Sequence, residues 1–200
     1  MFVMTIDQRG SRRDIDRVEH LLAATSNAAL VRPFERTAGD EVQAVADDAA
    51  TVARLAVDVA ADGHWSVGIG FGRVELPLPE STRAGRGPAF EHARDAVEVA
   101  KNRRIPIAVR GADPLWGRHA QTAARMLADV IARRSTAGTQ AVDLMRTGIS
   151  QTQAADRLGI TPQAMSQRLR AAAWDIDDAA YALVADLLRT ADNHTAKVIR

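Results

Sequence analysis

Three carboxylates stand at positions where a protein can bind a divalent cation. Asp7 ends the first apolar run of the chain, and Asp40 and Glu41 follow Gly39 in a turn between two strand-like runs. Carboxylates that meet at one end of a sheet repel each other unless they are protonated or bridged by a cation. Mg²⁺ takes few protein oxygens and often binds substrate phosphates as further ligands. The pattern predicts a magnesium site at Asp7, Asp40 and Glu41; the alternative is a solvated turn plus a helix-start cap at Asp7.

A phosphate group can lie beside these carboxylates. Arg9 and Gly10 belong to the segment QRGS, which follows Asp7 and offers backbone amides near a helix start, a common seat for phosphate. We therefore predict that Arg9 and Gly10 bind a nucleotide. Further arginines suit phosphate, namely Arg83, Arg86, Arg94, Arg103 and Arg104. Acidic residues are interleaved with them, so a mixed solvated face is the alternative.

The most specific pattern in the sequence is a helix-turn-helix at 150–172. Ser150 is a good N-cap for a first helix of two turns. Gly159 permits the positive φ angle that the tight turn requires. Thr161 can cap the second helix, and Pro162 occupies its first position, where the missing N–H is harmless.

The second helix of this motif is amphipathic. Its inward stripe consists of Met165, Leu169 and Ala172. On the opposite face, Gln side chains can read adenine edges and Arg side chains can read guanine edges or phosphates in the major groove. The predicted contacts with double-stranded DNA are Thr161, Gln163, Ser166, Gln167, Arg168 and Arg170. Arg157 and Arg168 are expected to face the DNA backbone. The alternative is a helix pair that only packs or mediates protein contacts.

The charge of this segment also favours DNA. From Arg146 to Arg170 there are four arginines and one acid, so the segment is locally positive in a chain whose net charge is +1. A local basic patch of this kind can attract nucleic acid even when the total charge is balanced.

Strand and helix signals alternate in the first part of the chain and position the carboxylates. The strand-like runs are 2–6, 30–36, 41–46, 65–71 and 105–110. The order β-α-β-β-α-β-α-β begins like a ferredoxin-like split βαβ unit. In that unit the first and third strands are central neighbours, which brings Asp7 close to Asp40 and Glu41. After residue 116 the signals are helical only, at 117–134, 136–146, 151–158, 162–172 and 176–190.

The fold predicted from these signals is α+β. A ferredoxin-like βαββαβ domain is expected at 1–111. An all-α, helix-turn-helix DNA-binding domain is expected at 115–192. About 110 residues are enough to close a core of the first kind.

Composition excludes several classes of function. The chain has no cysteine, which excludes disulfides, thiol catalysis and cysteine-ligated metals. Its histidines show no metal-ligand spacing, and neither G-x-S-x-G nor a P-loop is present. The strand-like run at the first residues leaves no room for a signal peptide. No apolar run approaches the roughly 20 residues needed to span a bilayer. We therefore expect a soluble, cytoplasmic protein without a membrane partner.

Three segments resemble the SatD family of bacterial proteins. They are TIDQRGSR at 5–12, AGDEVQAV at 38–45 and GRGPAFEHARDAVEVAK at 85–101, and the helix-turn-helix follows them. Asp7, the Gly39-Asp40 turn and the glycines Gly68 and Gly70 also resemble class III nucleotidyl cyclase domains. The resemblance implies a cyclase-like or polymerase-palm-like domain joined to a DNA-binding domain. Glycine within a strand marks the close approach of another backbone or of a ligand.

Two positions depart from the cyclase pattern. Where the cyclases carry Asn and Arg on the helix after Gly87, this chain has Glu91 and Asp95. The loss of an arginine aimed at developing phosphate charge costs several kcal/mol of transition-state stabilisation. Arg36 stands at the substrate-side lysine position of the cyclases, and the resemblance implies that it meets an anion. Glu91 and Asp95 therefore argue more strongly against cyclase catalysis than against Mg²⁺-dependent binding of a nucleotide.

The leading hypothesis is a sequence-specific DNA-binding regulator that forms a homodimer. Its first domain would be a cyclase-like sensor or dimerisation module that binds Mg²⁺ and a nucleotide. The alternative is a Mg²⁺-dependent nucleotidyl cyclase or nucleotidyltransferase with Asp7 and Asp40 as ligands. A third possibility is a scaffold that binds neither metal nor nucleotide and only dimerises.

Overall fold

A five-stranded mixed sheet forms the centre of the protein in the computed structural model, which describes residues 1–198. The strands are β1 Phe2–Gln8, β2 Arg32–Ala38, β3 Glu41–Ala46, β4 Trp65–Phe71 and β5 Ile107–Arg110. Their order is β2-β3-β1-β4-β5. β1 is antiparallel to β3 and β4, and β4 is parallel to β5. The protein is α+β, as predicted, and the sheet is compatible with a βαββαβ unit extended by one strand.

Within the described residues, eight α-helices surround or follow the sheet. They are α1 Val18–Thr25, α2 Ala49–Ala61, α3 Pro88–Lys101, α4 Pro114–Ala132, α5 Thr136–Arg146, α6 Gln151–Arg157, α7 Pro162–Ala171 and α8 Asp177–Val198. Asp48 caps α2, because its carboxylate accepts a hydrogen bond from the N–H of Thr51 at 2.8 Å. Asp113 caps α4 in the same way through Leu115 at 3.0 Å. None of these helices combines the length and apolarity needed to cross a lipid bilayer.

The two faces of the sheet are buried in different apolar cores. Along β1, Phe2, Met4 and Ile6 lie in the main core with α1 and α2, whereas Val3 packs in a smaller core with residues of α3. This alternation follows from the two-residue period of a strand. The sheet is therefore covered by helices on both faces.

The glycines of β4 allow α3 to approach the sheet closely. A Cβ atom at Gly70 would lie 2.1 Å from the carbonyl oxygen of Ala89 and 2.4 Å from the backbone nitrogen of Ala93. A Cβ atom at Gly68 would lie 2.3 Å from the backbone nitrogen of Val97. Of the two interpretations that the sequence allowed, the close approach of another backbone is the one observed.

Helices α4 and α8 belong to the same core as the sheet. Ala124 and Leu127 of α4 are buried there together with Val184 and Leu188 of α8. Both helices also pack against α2 and against each other. The predicted domain boundary between residues 111 and 115 therefore does not separate the core of the sheet from the second apolar core. We call the sheet with α1–α4 and α8 the α/β core.

Helices α5, α6 and α7 form a separate small core, and we call them the helical unit. Its buried residues are Ala141, Val142, Ala154, Ala155, Met165, Leu169 and Ala172. The unit lies in sequence between α4 and α8, so its two ends are both attached to helices of the α/β core. The predicted helical segments at 136–146, 151–158 and 162–172 agree with these three helices to within one residue.

Candidate nucleic-acid interface and carboxylate cluster

Local hydrogen bonds build the helix-turn-helix as its sequence predicts. Ser150 and Gln153 form a capping box at the start of α6, in which each side chain bonds the backbone N–H of the other. Gly159 has a φ angle of 63° in the turn. Thr161 Oγ1 accepts a hydrogen bond from the N–H of Ala164 at 3.1 Å and so caps α7. These caps and the turn are confirmed.

The recognition-like helix α7 separates an apolar face from a polar one. Met165 and Leu169 are buried against α5 and α6, as predicted. Gln163, Gln167 and Arg170 are exposed on the outer face. The unit therefore presents amide and guanidinium groups to solvent on a helix whose inner face is buried in its own small core.

Two of the other residues predicted to contact DNA, Thr161 and Ser166, form hydrogen bonds within the protein. Thr161 is exposed but its oxygen caps α7. Ser166 is half-buried, and its hydroxyl accepts a hydrogen bond from Gln151 Nε2 at 2.5 Å, which ties α7 to the start of α6. Arg168 is half-buried near the end of α7. Of the six predicted contacts, Thr161, Gln163, Gln167 and Arg170 are exposed, whereas Ser166 and Arg168 are half-buried.

The positive charge of the helical unit is smaller at its surface than the sequence suggests. Arg146 is paired with Asp177 at 3.1 Å, so it does not add to a free basic patch. Arg157, Arg168 and Arg170 form no ion pair with any described residue. These three guanidinium groups supply the free cationic charge of α6 and α7.

A polar network that the sequence did not reveal attaches the helical unit to the α/β core. We call Asp58, Arg134, Arg146, Asp177 and Tyr181 the docking network. The Asp177 carboxylate accepts from Arg134 at 2.5 Å and from Arg146 at 3.1 Å. The Tyr181 hydroxyl donates to Asp58 and accepts from Arg146 at 3.1 Å. Burial is the main cause that raises the pKa values of the Asp58 carboxyl and the Tyr181 hydroxyl.

The predicted neighbours at the end of the sheet do meet, and a lysine pairs with one of them, Asp7. Asp7 of β1 is the register partner of Glu41 in β3, so the predicted adjacency of these strands is confirmed. Lys101 Nζ lies 3.0 Å from Asp7 Oδ2 and 2.7 Å from Glu98 Oε1. Burial raises the pKa of the Asp7 carboxyl, and the hydrogen bond from Lys101 opposes that shift. The cation at Asp7 is thus an ammonium group of the protein.

The carboxylates predicted as magnesium ligands are not assembled into a metal-binding group. Glu41 accepts a hydrogen bond from Thr37 Oγ1 at 2.6 Å, which turns its carboxylate to its own hairpin. Among the described residues no group of three or more His, Cys, Asp or Glu side chains can hold a metal ion. Asp7, Asp40 and Glu41 do not form such a group, so the magnesium site stays a prediction and we derive no catalytic step from it.

The residues predicted to bind a nucleotide are engaged separately. Arg36 pairs with Asp16 at 2.8 Å, and it also donates to the carbonyl oxygen of Gly39 at 3.0 Å. Arg9 donates to the carbonyl oxygen of Arg103 at 3.2 Å. Gly10, with a φ angle of 67°, begins a short 3₁₀ turn at 11–13. Each arginine thus has a partner within the protein.

Replacing Lys101 with methionine is expected to lower the free energy of unfolding by about 1 kcal/mol, because Asp7 then lacks its counterion. Saturating Mg²⁺ is expected to leave the Tm of the wild type unchanged, since Lys101 already neutralises Asp7. Urea and thermal unfolding followed by circular dichroism measure both effects. Arg103→Met is the matched control, since Arg103 is exposed just beyond the same helix end. A Mg²⁺-dependent rise in Tm that Asp7→Asn removes would instead favour the magnesium site.

Comparison with known proteins adds no relative to these observations. No protein-family model, no curated protein and no solved structure matches the chain. Membership of the SatD family therefore stays a prediction that rests on the three sequence segments at 5–12, 38–45 and 85–101.

Proposed function

We propose that this protein is a sequence-specific regulator whose helical unit binds double-stranded DNA. The polar outer face of α7 carries the proposal, because Gln163, Gln167 and Arg170 are exposed on the helix that follows the Gly159 turn. A helix of this size fits the major groove, where Gln pairs with adenine and Arg with guanine. The small core beneath α7 anchors the helix from which these side chains project.

Contacts with the DNA backbone would orient this helix. Arg157 on α6 and Arg168 on α7 have no carboxylate partner among the described residues and flank the polar face. Guanidinium groups in such positions bind phosphates and fix the register of a recognition helix without reading sequence. Thr161 and Ser166 would add hydroxyl contacts at the start and middle of α7.

A second copy of the chain is part of the proposal. Leu115, Met126 and Val130 lie on one side of α4 and are 49 %, 67 % and 38 % exposed. An apolar strip of this kind on a helix supports contact with another protein surface. Two copies related by a two-fold axis would read a palindromic site, with one α7 in each half.

The α/β core is, in this proposal, the sensor and dimerisation module. Its strand order β2-β3-β1-β4 is the order expected for a ferredoxin-like or cyclase-like βαββαβ domain, which is the arrangement that the SatD resemblance implies. Nucleotide binding through Arg9, Gly10 and Arg36 is not carried forward, because both arginines have intramolecular partners.

Replacing Arg170 with alanine is expected to weaken binding to a specific duplex by about 5-fold to 150-fold, since a bidentate base contact contributes roughly 1–3 kcal/mol. Gln167→Ala should have a similar effect and should relax the base preference at one position. The duplex is first selected by the wild-type protein from a random pool, and affinities are then measured by fluorescence anisotropy at fixed salt.

Arg118→Ala is the matched control, because Arg118 is an exposed arginine on α4 outside the helical unit. It should change specific affinity by less than a factor of about two. Failure to select any sequence from the pool would contradict the proposal. Unchanged specific affinity in both Arg170→Ala and Gln167→Ala would contradict the role given to α7.

A further inference from the structure

A groove between α1 and α2 opens beside the docking network. It has a volume of about 300 Å³, at the small end of the range for small-molecule sites. Its lining consists of His20, Leu21, Ala24, Thr25, Leu55, Asp58, Val59, Asp62 and Trp65. The wall is mostly apolar, and the two charged side chains in it are both carboxylates.

The side chains that line the groove favour a positively charged ligand. Asp58 and Asp62 both face it, and no lysine or arginine lines it. Leu55 and Val59 extend along the wall on α2, and Trp65 closes one side at the start of β4. A cation with an apolar body satisfies both features, because its charge meets the carboxylates and its hydrocarbon part displaces water from the wall.

Asp58 connects this groove with the helical unit. Its Oδ1 atom accepts the hydrogen bond of Tyr181 and lies 3.8 Å from Arg146 Nη2. Both contacts involve Oδ1, which leaves Oδ2 as the acceptor for an occupant of the groove. Arg146 is the last residue of α5, and it also bonds Asp177, whose carboxylate is 1 % exposed.

We propose that the groove between α1 and α2 binds a small organic amine in its ammonium form, and that occupancy changes how the helical unit is held on the α/β core. The ammonium group takes Asp58 as its partner, which weakens the bond from Tyr181 and shifts Arg146 towards Asp177. The consequence for DNA affinity rests on the proposed function, whereas the binding and the structural coupling do not.

The three tryptophans report separately on the parts involved. Trp65 lines the groove, Trp174 packs against the core of the helical unit, and Trp116 lies on α4. Benzylamine is the probe, and benzyl alcohol is its neutral counterpart of similar shape. Indole N–H signals in ¹H–¹⁵N spectra, assigned with Trp→Phe variants, are followed during titration. Benzylamine should move the Trp65 and Trp174 signals and leave Trp116 in place, and benzyl alcohol should move none.

Variants separate binding from coupling. Asp62→Asn should weaken the binding of benzylamine about twofold to fivefold, as expected for an exposed charge. Asp47→Asn, at the other end of α2, should not change it, because Asp47 is exposed outside the groove. Tyr181→Phe should preserve the shift of Trp65 and reduce that of Trp174, because the link through the hydroxyl is gone and only the Asp58–Arg146 pair remains.

Two results would overturn the inference. If Trp65 does not move, or if it moves equally with benzyl alcohol, the groove is not a cation site. If Trp65 moves and Trp174 does not move in the wild type, the coupling is wrong. These signals are read without DNA, so failure of the protein to select a duplex would refute the proposed function and leave this result standing.

Discussion

Replacing Asp177 with alanine is expected to lower the free energy of unfolding by about 3–5 kcal/mol. The Asp177 side chain is 1 % exposed, and that of its partner Arg134 is 3 % exposed. Removal of the carboxylate leaves a guanidinium group buried without a counterion, and Arg146 loses a hydrogen bond as well. Urea unfolding followed by circular dichroism measures the change.

The same helix supplies a matched control for this prediction. Asp186 of α8 pairs with Arg189, but the two side chains are 67 % and 52 % exposed. Asp186→Ala should therefore change the free energy of unfolding by no more than about 0.5 kcal/mol. The double variant Arg134→Ala/Asp177→Ala should lose less than the sum of its single variants, because no unpaired guanidinium then remains at position 134. Equal losses in Asp177→Ala and Asp186→Ala would contradict the prediction.

In Asp177→Ala, the helical unit is expected to lose more stability than the α/β core. Arg134 also donates to the carbonyl oxygen of Ala172, just after α7, at 2.8 Å. Asp177→Ala frees both Arg134 and Arg146 from the carboxylate that fixes them. Amide hydrogen exchange should therefore accelerate more in α5–α7 than in β1 and β4, since local opening reflects the stability of each part.

Replacing Gly70 with alanine is expected to cost about 3 kcal/mol or more, at the upper end for overpacked cores. The new Cβ would lie 2.1 Å from the carbonyl oxygen of Ala89 and 2.4 Å from the nitrogen of Ala93. These are backbone atoms of α3, so no side-chain rotation can relieve the clash. Urea unfolding measures the loss, and the yield of folded protein will fall with it.

Gly39→Ala is the appropriate comparison, because it changes the same residue type in open space. Gly39 has a φ angle of 59°, and a Cβ there meets nothing within 4 Å. Gly39→Ala should lower the free energy of unfolding by about 1–2 kcal/mol, which is the cost of placing alanine in the left-handed backbone conformation. If the two variants lost the same stability, the close approach of α3 to β4 would not be the cause at Gly70.

Short-range chemistry in the sequence was sufficient to predict the helical unit. Ser150, Gly159 and Thr161 act through hydrogen bonds and φ angles within a few residues of themselves, so their roles are independent of the rest of the fold. The strand pattern was likewise sufficient to predict that Asp7 and Glu41 are neighbours. A βαββ order leaves few ways to pair the first and third strands.

Only the tertiary structure decided which charges are free. Lys101 lies at the far end of α3 and neutralises Asp7, and Asp177 removes Arg146 from the surface charge that the sequence assigned to the DNA-binding segment. The assignment of α4 and α8 to the core of the sheet was decided in the same way. The physical reason is that the free energy of a charge or an apolar stripe depends on burial and on partners distant in sequence, which no local pattern specifies.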